Sequence, residues 1–172
     1  ELVAIFGNFI NRVVVLTHKY WGGIVPSKNK LQDCDQEVLS KLKETPSILG
    51  ASIEMFKFRE ALSGLINLAR VGNKYLAETE PWKVYKENKL RTETILNISL
   101  QIAASLAILS EPFMPFTSRK LKSILNLTNL KWDDVTEEIL HSGHKINNSS
   151  HLFHRIEDSK IQQQLEKLKQ QT

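Results

Sequence analysis

The chain has 172 residues and a mass of 19.7 kDa, enough for one hydrophobic core, which predicts a single domain with a trailing segment. Hydrophobic residues make up 41% and charged residues 24%, as in soluble globular proteins, and no apolar run approaches the roughly 18 residues that span a bilayer. The net charge of +4 and pI of about 9.1 suit a phosphate-rich partner, although many cytosolic domains are equally basic.

The cysteine content and the first residues indicate a compartment. The single cysteine, Cys34, excludes an internal disulfide and suits a reducing cytosol. The start of the chain does not resemble a signal peptide, so we expect a cytoplasmic protein without a membrane partner. Because the sequence begins at Glu1, already inside a helical pattern, we also expect it to be a piece of a longer protein.

The first predicted helix runs from about Leu2 to Trp21 and ends at Gly22-Gly23, where glycine adopts the left-handed cap conformation. Helical periodicity predicts a core face of Phe6, Phe9, Val13, Leu16 and Tyr20. The opposite face carries Asn8, Asn11, Arg12, Val15, His18 and Lys19. Such a polar stripe is typical of a solvated helix face, but amides also pair with base edges and cations with phosphates.

The next segment predicts a loop followed by two helices. Residues Ile24 to Cys34 read as the loop, and Asp35 reads as the N-cap of a helix that Thr45-Pro46 breaks or kinks. A second helix is expected from about Pro46 to Phe56.

A central amphipathic helix follows from Phe58, with an apolar face of Leu62, Leu65, Ile66, Ala69, Tyr75 and Leu76. Pro81 fits the first turn of a new helix but not the interior of this one, so the helix ends before it. Trp82 is thereby held at a helix junction near the surface. A lone tryptophan in such a place is usually just partly buried packing.

Cations and then an apolar helix come after Trp82. The cations Lys83, Lys86, Lys89 and Arg91 fit phosphate contacts and a solvated turn equally well. The helix from about Thr92 to Ser110 is the most apolar, and its small residues predict a place at the bundle centre: Ala103, Ala104, Ser105 and Ala107.

The remaining third is predicted to contain two more helices around an irregular segment. One helix opens in EPFMPFTSRKL and reaches Leu125, with Phe113, Met114 and Phe116 as core candidates. Between about 126 and 150 we expect Trp132 to pack on the bundle and Asp133 or Asp134 to begin a helical turn. The pairs His141/His144 and His151/His154 have metal-ligand spacing, but their glycine and loop context argues against a metal site. From Glu157 a narrow apolar stripe of Ile161, Leu165 and Leu168 on a charged helix is compatible with marginal docking or with fraying.

Four phrases resemble one family. NKYLAETEPWK, with REAL upstream, closely resembles the anticodon-binding helical domain of methionyl-tRNA synthetase, a class I aminoacyl-tRNA ligase. GNFINRVVVLTHKYWGGIVP resembles the first helix of that domain. The run around EPFMP resembles a packing corner of the domain, and GHKIN with LFHRIED resembles its closing peptide. The resemblance implies an all-α helical bundle of the class I aminoacyl-tRNA synthetase anticodon-binding type over residues 1–158. Residues 159–172 then form a terminal helix or linker.

The same resemblance implies an RNA-binding site. In that family the tryptophan after the proline stacks on an anticodon base, which points to Trp82 and Pro81. The first helix of the family carries Asn, a second Asn four residues on and Arg four further; here Asn11 matches, while Val15 and Lys19 replace the other two. Lysine keeps the charge without the planar fork, and valine cannot hydrogen-bond a base. We therefore expect hydrogen bonds from Asn11 and charge from Arg12 and Lys19.

The implied partners are the anticodon loop of methionine tRNA and a catalytic domain of the same chain. The sequence contains no glycine-rich nucleotide loop, KMSKS-like loop or nucleophile–base constellation. We therefore expect no catalytic residue, metal or cofactor in this chain, with ATP and methionine used by the parent enzyme. Two alternatives stay open: a helical anticodon domain of another class I ligase, and a helical protein-interaction or dimerisation module without RNA binding.

Overall fold

The computed structural model describes residues 1–136, 138–148, 150–153 and 156–170, with only the backbone described at positions 136 and 170. A π-helical turn over Leu2–Gly7 leads into the first α-helix. The seven α-helices are α1 (Asn8–Trp21), α2 (Asp33–Glu54), α3 (Phe58–Thr79), α4 (Pro81–Val84), α5 (Lys89–Leu109), α6 (Pro115–Ile124) and α7 (Asp158–Gln170). A 3-10 turn covers Trp132–Thr136, and the described residues contain no β-strand beyond one isolated bridge. The all-α expectation is confirmed.

Helix α5 is the centre of the bundle. Nearly every residue from Thr92 to Leu109 is buried, and the helix contacts α1, α2, α3, α4 and α6. Its small residues lie among the buried ones, as their spacing predicted. By length and composition α5 meets the requirements of a membrane span, contrary to the sequence expectation, but 94% of its apolar window is buried inside the protein. Such a helix is the ordinary core helix of a helical bundle.

Helix α1 ends as its sequence predicts and begins differently. Gly22 and Gly23 have φ of 60° and 81°, and their N–H groups donate to the carbonyls of His18 and Thr17. The predicted start at Leu2 has π rather than α spacing. One carbonyl of that turn, that of Ile5, accepts a hydrogen bond from the Asn73 side chain on α3.

Helix α2 corrects the prediction of two helices divided at Pro46. The helix continues through Pro46, with Leu42 and Leu49 buried on either side. A proline removes one backbone donor, and apolar packing on both sides of it outweighs that loss. The N-cap is Gln32 rather than Asp35, and Cys34 lies in the first helical turn rather than in a loop.

Two further corrections concern single side chains. Phe116, a core candidate, is 80% exposed, because α6 turns its other face, with Leu121 and Ile124, toward the core. Phe113 and Met114 are partly buried against the core. On α3, Leu62 is 38% exposed and lies at the edge of the apolar face.

The irregular segment after α6 is held by hydrogen bonds. The side chain of Gln101 on α5 donates to the Leu140 carbonyl and accepts from the backbone N–H groups of Ile139 and Leu140. Val25 donates its N–H to the His144 carbonyl at 2.8 Å. Trp132 begins the 3-10 turn and packs against the core, as expected.

Candidate nucleic-acid interface

The surface predicted to bind RNA is built where α1 passes the connection between α3 and α5. Glu80 ends α3 in the left-handed conformation, with φ of 42°, and its carbonyl accepts the N–H groups of Lys83 and Val84. Pro81 is buried at the first position of α4. The proline ring fixes φ of Pro81, and Glu80 before it is held in the left-handed conformation. Together they set the backbone direction at the position from which the Trp82 side chain projects.

Arg12 of α1 lies against Trp82. Its guanidinium carbon is 5.2 Å from the centroid of the indole, which is within the range of a cation–π interaction. Both side chains are partly buried and therefore keep some contact with solvent. The structure thus brings together Arg12, Pro81 and Trp82, three of the six residues singled out from the sequence.

The other three lie along the same face of α1. Asn11 is partly buried, and among the described residues its side chain makes no hydrogen bond. It lines a cleft of about 200 Å³ between α1 and residues 150–153. Val15 is 45% exposed and Lys19 is exposed. His18 of the stripe instead bonds through Nε2 to the Asn147 carbonyl at 2.9 Å.

An aromatic cluster beside this face was not predicted. The rings of Tyr20 and Tyr85 stack with centroids 4.1 Å apart and planes 21° from parallel, and Trp21 meets both edge-on. The ammonium of Lys19 lies 5.3 Å from the Tyr20 ring centroid, and that of Lys89 lies 5.6 Å from the Tyr85 centroid. Tyr20 was expected in the core but is only partly buried, because it packs on Tyr85. The sequence signal that could have revealed this cluster is the position of Tyr85, one helical turn after Trp82.

The cations that follow Trp82 have different surroundings. Arg91 does not belong to a solvated turn, because its side chain is 11% exposed and its charge is paired with Asp35. Lys83 pairs with Glu80 at 2.7 Å. Lys89 lies over Tyr85, as described above.

The Asp35–Arg91 pair fixes the base of the interface. The carboxylate is completely buried and accepts hydrogen bonds from Nη1 and Nη2 of Arg91, from the Tyr75 hydroxyl at 2.6 Å and from the Gln32 N–H at 2.8 Å. Burial by itself raises the pKa of Asp35, but these four hydrogen bonds outweigh it and bring the pKa below its usual value. The network joins α2 to the end of α3 and the start of α5, on either side of Trp82.

The described histidine and cysteine side chains belong to the residue types that form metal sites and nucleophiles. Within the described ranges no group of three or more His, Cys, Asp or Glu side chains could hold a metal ion, and His154 of the second histidine pair lies outside those ranges. Burial, followed by the neighbouring Asp35, raises the pKa of the Cys34 thiol, which therefore stays protonated at neutral pH. What the face offers is ring surface, an amide and cations, the groups that bind unstacked bases and phosphates.

Comparison with known proteins gives consistent matches. Residues 25–172 match the family described as the anticodon binding domain of methionyl tRNA ligase. The methionine-tRNA ligase of Cytophaga hutchinsonii is 54% identical over 169 residues, covering 98% of this chain and 24% of that protein. The Flavobacterium johnsoniae ligase is 46% identical over 197 residues, covering 98% and 28%. The chain therefore spans about a quarter of the length of the curated relatives it matches.

A solved structure shares the fold. The ligand-free methionyl-tRNA synthetase of Mycobacterium tuberculosis superposes with a TM-score of 0.86 and 21% sequence identity over 91% of this chain and 32% of that one. At that identity the similarity concerns the fold alone.

Proposed function

The chain belongs to the family of the anticodon binding domain of methionyl tRNA ligase, and from this membership we propose that it recognises the anticodon of a methionine tRNA. The proposed RNA-binding surface consists of Asn11, Arg12, Val15, Lys19, Pro81 and Trp82. The observation that carries the proposal is the partly exposed indole of Trp82 with the Arg12 guanidinium 5.2 Å from its ring centroid.

Trp82 is the proposed stacking platform. An anticodon base that leaves the stack of its loop loses a neighbour, and the indole supplies a replacement surface that is worth roughly 1–3 kcal/mol per base. Arg12 limits the freedom of the indole before RNA binds and places a positive charge beside it. Pro81 fixes the backbone from which the indole projects.

The α1 residues supply the remaining contacts. The amide of Asn11 has both a donor and an acceptor and can pair with a base edge. Val15 is exposed and offers only apolar contact to a base or ribose. Lys19 contributes a charge for the phosphate backbone.

The parent protein is proposed to be a cytoplasmic methionine-tRNA ligase that charges this tRNA with methionine at the expense of ATP. In this proposal catalysis resides in a domain outside this chain, and the bundle of residues 1–158 holds the anticodon arm. Residues 159–172 form a terminal helix or linker. No catalytic residue, metal or cofactor is assigned to the bundle itself.

Binding of a methionine anticodon stem-loop tests the proposal. Trp21→Phe and Trp132→Phe together leave Trp82 as the reporter of fluorescence, and we expect its emission to be quenched by the RNA. In the otherwise native chain, Trp82→Ala should weaken binding of labelled RNA by roughly 5- to 150-fold. Phe116→Ala removes an exposed ring from α6, away from the proposed surface, and should leave the affinity unchanged.

Equal affinities of the Trp82→Ala variant and the native chain would contradict the stacking role. If no RNA binds at any salt concentration, the alternative of a helical protein-interaction module is favoured.

A further inference from the structure

We propose that the stacked Tyr20–Tyr85 pair, with Lys19 and Lys89, is a second RNA subsite that holds phosphate groups next to the base stacked on Trp82. The inference rests on the proposed function, because it concerns the same RNA. It adds contacts to the phosphate backbone of the RNA, made by lysine side chains from two different helices, α1 and α5.

The location of the cluster makes it continuous with the proposed base site. Tyr85 directly follows the last residue of α4, one turn after Trp82. On α1, Arg12 and Lys19 are seven residues apart, which is about 10 Å along the helix. Helix α1 therefore contacts the segment around α4 at two points, through Arg12 at the indole and through Tyr20 at the tyrosine stack. A strand whose base reaches Trp82 passes within reach of both lysines.

The ring stack positions the two ammonium groups. Each lies within 6 Å of one ring of the pair, at 5.3 Å for Lys19 and 5.6 Å for Lys89. A free lysine loses much rotamer freedom when it binds a phosphate, and contact with a ring has already removed part of that freedom. In a cation–π contact the ammonium group does not donate hydrogen bonds to a protein carboxylate. Its N–H donors therefore stay available to an anion.

Two of the neighbouring cations, Lys83 and Arg91, differ from the lysines of the cluster in their ion pairs. In the part of the chain that the structure describes, neither Lys19 nor Lys89 forms an ion pair with a carboxylate. Lys83 and Arg91, by contrast, pair with Glu80 and Asp35. A phosphodiester is the anion that an RNA loop bound at Trp82 would bring to these two unpaired charges.

Salt dependence separates this subsite from the base site. For the native 172-residue chain and the methionine anticodon stem-loop, the dissociation constant is measured between about 50 and 200 mM salt. Lys19→Gln and Lys89→Gln should each reduce the slope of log affinity against log salt by about 0.7, the value for one single-stranded phosphate contact. Both should weaken the cognate loop and a loop with a scrambled anticodon by the same factor, since phosphate contacts carry no sequence information.

Matched variants test the role of the ring. Tyr85→Phe keeps the stack and should retain the native slope, whereas Tyr85→Leu removes the ring beside Lys89 and should lose as much slope as Lys89→Gln. Lys57→Gln is the control, because Lys57 pairs with Glu60 at the other end of α3, about 33 Å along that helix from the Pro81 junction. If Tyr85→Leu does not fold, Lys89→Gln, which changes an exposed side chain, decides the test by itself.

The two proposals fail in different ways. Unchanged slopes in both lysine variants, with binding still dependent on Trp82, would overturn the phosphate subsite and leave the base site standing. If the native chain does not bind the stem-loop even at the lowest salt, both proposals are overturned.

Discussion

A completely buried carboxylate is the side chain whose surroundings differ most from the sequence expectation. Asp35 was predicted to be an N-cap, yet it lies at the third position of α2 and accepts four hydrogen bonds from Arg91, Tyr75 and Gln32. A buried charge is tolerated only when it is paired and its acceptor sites are filled, and both conditions hold here. The pair spans 56 positions of sequence and joins the two chain segments that flank Trp82.

Replacing Asp35→Asn should lower the free energy of unfolding by about 3–5 kcal/mol, because it leaves the Arg91 charge without its counter-charge. Urea unfolding followed by circular dichroism measures the change. Lys74→Met is the control, because it breaks an exposed ion pair: the side chains of Lys74 and Glu78 are 73% and 60% exposed. It should change the free energy of unfolding by less than about 0.5 kcal/mol. A loss below about 1 kcal/mol in Asp35→Asn would show that the buried pair does not stabilise the fold.

Acid should weaken the same network with a defined sign. Because the folded-state pKa of Asp35 is lower than usual, its contribution is fully present above the unfolded carboxyl pKa of about 3.9 and is lost as pH falls through the folded value. The stability difference between the native chain and Asp35→Asn should therefore be constant from about pH 7 to pH 5 and shrink below about pH 4. A stability difference that grows as the pH falls would mean that the folded-state pKa of Asp35 is raised rather than lowered.

At the scale of elements, the close approach of α1 and α3 depends on a glycine. A Cβ at Gly72 would lie 2.5 Å from two ring carbons of Phe9, which is fully buried. Gly64, on the same helix, would place a Cβ 2.7 Å from a terminal methyl carbon of Leu49, which can rotate away. At Gly50 on α2 the nearest atom is the Trp132 Nε1, at an ordinary 3.8 Å. The three positions differ in what a methyl group would displace.

Alanine at these three positions should therefore give an ordered series of stabilities. Gly72→Ala should cost about 1–3 kcal/mol, because the Phe9 ring cannot move without shifting α1. Gly64→Ala should cost less, and Gly50→Ala should stabilise by up to about 1 kcal/mol through helix propensity alone. Thermal and urea unfolding of the three variants provide the comparison. Equal effects at positions 72 and 50 would mean that α1 and α3 do not pack as closely as the structure shows.

At the scale of the whole molecule, the bundle and its last helix differ in burial. Helix α5 is enclosed by its neighbours, whereas the described side chains of α7 are exposed, including Ile161 and Leu165 at 46% each. The segment just before α7 is different again, since the Phe153 ring meets the buried Phe6 edge-on at 5.9 Å. Little apolar area is therefore lost when α7 is removed, and more when the segment with Phe153 is also removed.

Deletion of residues 159–172 should leave the unfolding temperature within about 2 °C of the full chain and reduce only the helical signal. Deletion of residues 150–172, which also removes Phe153, should lower it by several degrees. Far-UV circular dichroism during heating measures both. A large loss of stability on the shorter deletion would place α7 in the folded unit and move the proposed domain boundary toward the end of the chain.

The sequence by itself determined most of the helical segments, where α1 ends and that the helix containing Ala103 and Ala104 is the core, but not that α2 continues through Pro46. It also determined that Pro81 starts a new helix with Trp82 beside it. These features depend on periodicity, glycine caps and proline geometry, which act within one or two helical turns. Tertiary structure alone decided that Asp35 and Arg91 form a buried pair, that Tyr20 stacks on Tyr85 and that Phe116 faces solvent. Each of these depends on which helix lies opposite, and no local pattern records a contact between residues more than 50 positions apart.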